Sequence, residues 1–119
     1  MTSRIHPGES NASWMMHGLL EVLLDPQNDA DKTLAANLKD HFDFYIIPML
    51  NVDGVINGNY RCNLAGCDLN RKFGKNTSKV LHPSVYYTKH LLREIINVEK
   101  KPFFLYLDMH GHSVDKNVF

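Results

Sequence analysis

No stretch of this sequence stays apolar for the ~20 residues that a membrane-spanning helix needs, so no such helix is expected. The opening residues, Met-Thr-Ser-Arg-Ile-His, lack the apolar centre of a signal peptide. Cysteine is scarce. Cys62 and Cys67 alone cannot make a disulfide framework, which points to a reduced, cytoplasmic setting. They could join histidines in a structural zinc site, but no second cysteine pair follows. Nor is there an excess of charge: 13 basic residues balance 13 acidic ones, so nothing draws the chain in bulk toward nucleic acid or an acidic membrane. Internal repeats and low-complexity segments are missing too. What remains is one ordinary globular domain, 119 residues long, 44% apolar and 22% charged.

The apolar residues are patterned. Ala12, Met15, Met16, Leu19, Leu20 and Leu23 recur every three or four positions behind Ser10 and Asn11, two good caps, and predict a helix that ends at Asp25-Pro26. Thr33 to Leu38 reads as a short second helix. A third runs from Pro83, a first-turn proline, to Val98. Residues 1–5 suggest the stub of a strand. Phe42 to Leu50 and Phe103 to Leu107 are continuous apolar runs, the pattern of strands covered on both faces of a parallel sheet. Between them, residues 51–79 predict a long irregular loop, of the kind that usually carries function. Trp14 and the methionines are expected in the core, and His17, His41, His82 and His90 on the surface or on helices. Helices alternating with strands predict an α/β fold, with ligands at the carboxyl ends of the strands.

Three groups of polar residues stand out, and two of them, the loop after Asn51 and the cluster at His110, follow strands and so fall at those ends. His6-Pro7-Gly8-Glu9 could fold back on one ion through its Pro-Gly turn, or Glu9 could simply favour the helix N-terminus. Asp108-Met109-His110-Gly111-His112 follows a strand-like run. His110 there is either a ligand, with Asp108 on the same face to orient it, or a half-buried histidine bonded to backbone. His, Glu and His are the three protein ligands of a catalytic zinc, which keeps one position open. In the loop, Arg61 and the run Asp68-Leu69-Asn70-Arg71 would suit a substrate carboxylate, or are ordinary loop polarity.

Taken in order, His6-Pro7-Gly8-Glu9, Asn51-Val52-Asp53-Gly54, Asn59-Tyr60-Arg61-Cys62, Asp68-Leu69-Asn70-Arg71 and Asp108-Met109-His110-Gly111-His112 resemble the M14 metallocarboxypeptidases. Within them they resemble the cytosolic branch that trims glutamates from tubulin. The resemblance implies a partial three-layer zinc-carboxypeptidase fold, a mixed, mostly parallel sheet with helices on its faces. It implies one zinc ion held by His6, Glu9 and His110. Arg61 would polarise the scissile carbonyl, and Asn70 and Arg71 would clamp the substrate's terminal carboxylate. The implied partners are protein or peptide C-termini, glutamate-rich tubulin tails among them, without nucleic acid or membrane. Val52 replaces the family's usual proline, and Cys67 stands where a basic residue is common.

The site residues lie near both extreme ends, and the chain closes on Val118-Phe119. Residues 1–119 are therefore expected to be the N-terminal portion of a catalytic domain, truncated at both ends. The family's general-base glutamate lies on a later strand, and Glu21, Glu94 and Glu99 sit in helical stretches. The expected activity is zinc-dependent removal of C-terminal residues, with the 119-residue chain inert on its own. A carboxylate-binding module without chemistry, or an inactive remnant, is the alternative.

Overall fold

The computed structural model describes residues 1–112; Val118 and Phe119 lie outside them. The elements are β1 (Thr2–Ser3), α1 (Ser10–Leu24), α2 (Asp29–His41), α3 (Val52–Ile56), a 3-10 turn (Leu69–Arg71), α4 (Pro83–Asn97) and β2 (Asp108–Met109). None of these helices is long and apolar enough to cross a membrane.

β1 is central. It pairs in parallel with β2, Thr2 opposite Asp108 and Ser3 opposite Met109. On its other edge Thr2 forms a parallel bridge with Ile47. The Ile47 N–H donates to Met1 O (2.9 Å), and the Ser3 N–H donates to Ile47 O (3.2 Å). The parallel α/β arrangement predicted from the sequence is thus present in small form.

The two expected long strands are not. From Phe42 to Leu50 only Ile47 forms a bridge, and of the second run only Leu107 makes a backbone bond to β1 among the described residues, accepting from the Thr2 N–H (2.8 Å). A strand is defined by its neighbours. Among the described residues Phe103, Phe104 and Leu105 remain exposed, at 45%, 77% and 62%, so the covered-on-both-faces pattern has no cover here.

The helices follow the sequence more closely. α1 and α4 have nearly the expected bounds. α2 is longer than expected because Asn28 caps it, its side chain accepting from the Asp31 N–H (2.9 Å), and Asp29 and Asp31 favour its first turn. α1 buries Ala12, Met16 and Leu23 and packs against α2. Trp14 contradicts its expected core position: it sits on the outer side of α1, 72% exposed, against His17. His82 is buried, at the N-cap of α4.

Ile5, Leu50, Leu69 and Val85 form the core beneath the sheet's carboxyl end, with Ile47 and Phe73 against them. Asn51 ties this core to the loops. Its buried side chain donates to Ile5 O (3.1 Å) and accepts from the Gly54 N–H (3.1 Å), capping α3. Asn51→Ala is expected to cost about 1–3 kcal/mol, the price of orphaning buried backbone groups. Urea unfolding of the two proteins measures it.

Candidate metal centre

His6, Glu9 and His110 come together at the carboxyl ends of β1 and β2, one ligand atom from each lying within 4.8 Å of the others. A tight turn after β1 delivers the first two. Helix α1 then begins, and Glu9 is its N-cap by backbone position, in place of the expected Ser10 or Asn11. Its side chain does no capping. The carboxylate reaches the opposite way: Oε1 meets His6 Nδ1 (2.8 Å), and Oε2 meets His110 Nδ1 (3.1 Å) and accepts the Gly111 N–H (2.7 Å).

Glycines let these segments close up. A Cβ on Gly111 would lie 2.8 Å from Asn11 Oδ1 of α1. A Cβ on Gly54 would lie 2.5 Å from the Pro7 ring and 2.9 Å from Cys62 O. Pro7, the α3 turn and the Cys62 backbone are therefore packed face to face without side-chain space between them. The Gly8 N–H donates to Tyr60 O (2.7 Å), which fixes the His6–Glu9 turn to the residue before Arg61.

Each histidine is also held from behind. His6 Nε2 meets Asp68 Oδ1 (3.1 Å), and His110 Nε2 meets Asp108 Oδ2 (2.7 Å). With Nε2–H given to a carboxylate, the Nδ1 lone pair is left for a cation. The carboxylates are themselves fixed. Asp68 accepts from Arg61 Nε (2.8 Å) and from the Asn70 N–H (2.9 Å), and Asp108 accepts from Thr2 Oγ1 (2.7 Å), which also meets the Tyr106 hydroxyl (2.9 Å).

Burial pushes the Asp68 carboxyl up. The hydrogen bonds from His6, Arg61 and Asn70 outweigh it and hold the group below the usual aspartate range. Asp108 follows the same pattern, with burial overcome by His110 and Thr2. The hydrogen bond to Asp108 raises the His110 imidazole against the opposing effect of burial, and Glu9 adds to the rise. Both aspartates therefore stay ionised at neutral pH and keep their grip on the rings.

Two imidazole nitrogens and one carboxylate around a common point, each imidazole backed by a carboxylate, match the donor set of a zinc that keeps one open position. Arg61 stands beside the cluster through Asp68. Asn70 and Arg71 follow on the same 3-10 turn, and among the described residues the Arg71 guanidinium has no ion pair. Cys62 and Cys67 are free thiols and take no part in the cluster.

Asp68 and Thr2 are the site residues whose roles the sequence did not reveal. Asp68 stood within a recognised run, but its partner is 62 residues away; Thr2 and Asp108 are 106 apart.

The model of a family described as zinc carboxypeptidase (peptidase M14) matches residues 1–115. Across all 119 residues the chain is 50% identical to cytosolic carboxypeptidase 1 of Xenopus laevis and 47% identical to cytosolic carboxypeptidase 2 of Mus musculus. It spans 9% and 13% of the length of those proteins. Among solved structures it is similar to a metallo-carboxypeptidase from Burkholderia cenocepacia (TM-score 0.75, 34% identity, 93% of this chain and 27% of that one). A metallo-carboxypeptidase from Pseudomonas aeruginosa, solved in complex with (2-guanidinoethylmercapto)succinic acid, gives a TM-score of 0.71 at 34% identity over the same shares.

Proposed function

Since the chain belongs to the zinc carboxypeptidase family, M14, we propose that the protein carrying it is a zinc-dependent metallocarboxypeptidase. It removes C-terminal residues, glutamates in particular, from cytoplasmic proteins such as tubulin. Residues 1–119 are then the N-terminal portion of its catalytic domain. The observation that carries this reading is the convergence of His6, Glu9 and His110, with Arg61 tied to the same cluster through Asp68.

His6 Nδ1, Glu9 and His110 Nδ1 would hold one zinc ion. Bound there, zinc would act as a Lewis acid toward the scissile carbonyl and toward a water. The residues of the chain supply the rest. Arg61 spends Nε on Asp68, so its two Nη groups are left to donate to the substrate carbonyl as negative charge develops on its oxygen. Asn70 and Arg71 hold the substrate's terminal carboxylate, which an internal peptide bond does not offer; this restricts cleavage to chain ends. The names of the cytosolic carboxypeptidases favour a cytoplasmic setting. The glutamate preference rests on the branch of the family that the motifs resemble.

The general base is to come from outside residues 1–119. Glu21 pairs with His17 on the outer side of α1, Glu99 bonds Tyr45 and Lys101, and Glu94 is exposed on α4. The 119-residue chain alone is therefore expected to turn over about 10²–10⁴-fold more slowly than the intact protein, the usual contribution of general-base catalysis. Equal turnover numbers would contradict this.

The test of the function itself uses the intact protein, a peptide ending in several glutamates, and mass spectrometry of the products. Stepwise loss of terminal glutamate that a chelator stops and added zinc restores is the expected result. Binding of an uncut peptide would favour a carboxylate-binding module instead.

A further inference from the structure

Arg4 lies between β1 and the ligand turn and belongs to no motif recognised in the sequence. Its backbone is left-handed, φ +56°, a conformation that costs any residue with a Cβ and that glycine adopts freely. A large side chain stands there, and it is bonded at two points. Nε donates to Pro7 O (2.8 Å), in the middle of the His6–Glu9 turn, and Nη1 donates to Ser13 Oγ (2.6 Å) on the first turn of α1. The Arg4 carbonyl accepts the Asn51 N–H (3.3 Å), so its own backbone is fixed to the loop that caps α3.

We propose that Arg4 is a positioning residue for the metal centre: its guanidinium bridges the Pro7 carbonyl and Ser13, and so fixes the turn on which His6 and Glu9 stand relative to α1. The bridge spans the segment whose geometry sets the distance between two of the three ligands. The turn closes on itself through the Glu9 N–H to His6 O (3.2 Å) and the Ser10 N–H to Gly8 O (3.0 Å), and two further contacts hold it from outside. Tyr60 O holds it from the loop side through Gly8, and Arg4 holds it from the helix side. A planar fork with several donors in fixed directions suits a two-point brace; an ammonium on a flexible stem suits it less well. The inference rests on the metal reading of His6, Glu9 and His110.

The test substitutes Arg4→Gly, which relieves the left-handed backbone and removes the brace together. Zinc affinity is measured by chelator competition, ligand geometry by the visible spectrum of the cobalt-substituted protein, and stability by melting of the metal-free form. A purely structural role predicts a lower melting temperature with unchanged affinity and spectrum. Positioning predicts the reverse: a metal-free melting temperature that is unchanged or raised, zinc binding weakened about 10–100-fold, as for other groups that orient ligands, and displaced cobalt bands. Arg4→Lys should recover only part of the affinity.

Wild-type affinity in a folded Arg4→Gly protein overturns the proposal. Should that variant not fold, Ser13→Ala, which leaves the backbone alone and removes one end of the brace, decides. A loss of zinc affinity there supports the bracing role, and an unchanged affinity overturns it. If the unaltered protein takes up no zinc, the metal reading fails, and this inference with it.

Discussion

Glu9→Gln is expected to empty the metal centre while leaving the fold in place. Glutamine has nearly the same shape, and its amide oxygen can still accept the Gly111 N–H that Oε2 accepts now. What it cannot supply is charge. In the native site one carboxylate faces both His6 Nδ1 and His110 Nδ1, and it would be the anionic member of the proposed three-ligand set. Its replacement leaves two neutral imidazoles and a weakly donating amide. If the roughly 10–16 kcal/mol of a four-ligand zinc site is shared among its ligands, losing one weakens binding by about 10²–10³-fold or more. Metal analysis after dialysis should find about one zinc per native protein and almost none in the variant, with similar far-UV circular dichroism for both. A variant that keeps stoichiometric zinc would remove Glu9 from the ligand set.

Arg61→Ala should act on the rate and spare the metal. Removal of one donor aimed at a developing oxyanion typically costs about 10²–10³ in kcat. KM should move less, because the contact strengthens only as charge builds on the carbonyl oxygen. Arg61→Lys is expected to recover little. In the proposed role the guanidinium would serve two partners at once, giving Nε to Asp68 and offering its Nη groups to the substrate, and a single ammonium cannot reproduce that division. Zinc content is the control: Asp68 keeps its bonds to His6 and to the Asn70 N–H without Arg61, so the variant should retain metal. An Arg61→Ala protein with native kcat would show that the arginine serves only to fix Asp68.

The three longer helices, α1, α2 and α4, were legible in the sequence because they depend on local information, whereas α3 and the 3-10 turn lie inside the stretch at 51–79 expected to be irregular. The spacing of Ala12, Met16 and Leu23, the first-turn Pro83 and the Asp25-Pro26 stop each act within a few residues. The runs at 42–50 and 103–107 were legible only as apolar. Whether such a run becomes a strand depends on what lies beside it, and the contacts to β1 or its flank are scattered: Tyr45, Ile47 and Leu50 from the first run and Leu107 from the second make backbone bonds there.

Trp14 shows the limit of composition. A large apolar side chain at a helix start suggests burial, yet its angular position on α1 turns it outward. For the site, the ordered motifs pointed to His6, Glu9 and His110 as candidates, and the structure places those three side by side. The orienting contacts were hidden because Asp68 and Thr2 carry no signal of their own. Either could be a cap or a strand-end residue until the tertiary fold brings His6 and Asp108 to them.

The diverted carboxylate of Glu9 has a mechanical consequence. It touches His110, 101 residues later in the chain, so an ion shared by the two works as a removable staple across almost the whole sequence. A covalent link closing a loop of about 100 residues restricts the unfolded chain by roughly 4–5 kcal/mol in the chain-entropy model. A tightly held ion would impose a similar restriction, but only while it is bound. β2, a two-residue strand with a single bonded neighbour among the described residues, would be the segment most dependent on it. Metal supply would then govern whether the last part of this unit stays docked, as well as whether the site can react.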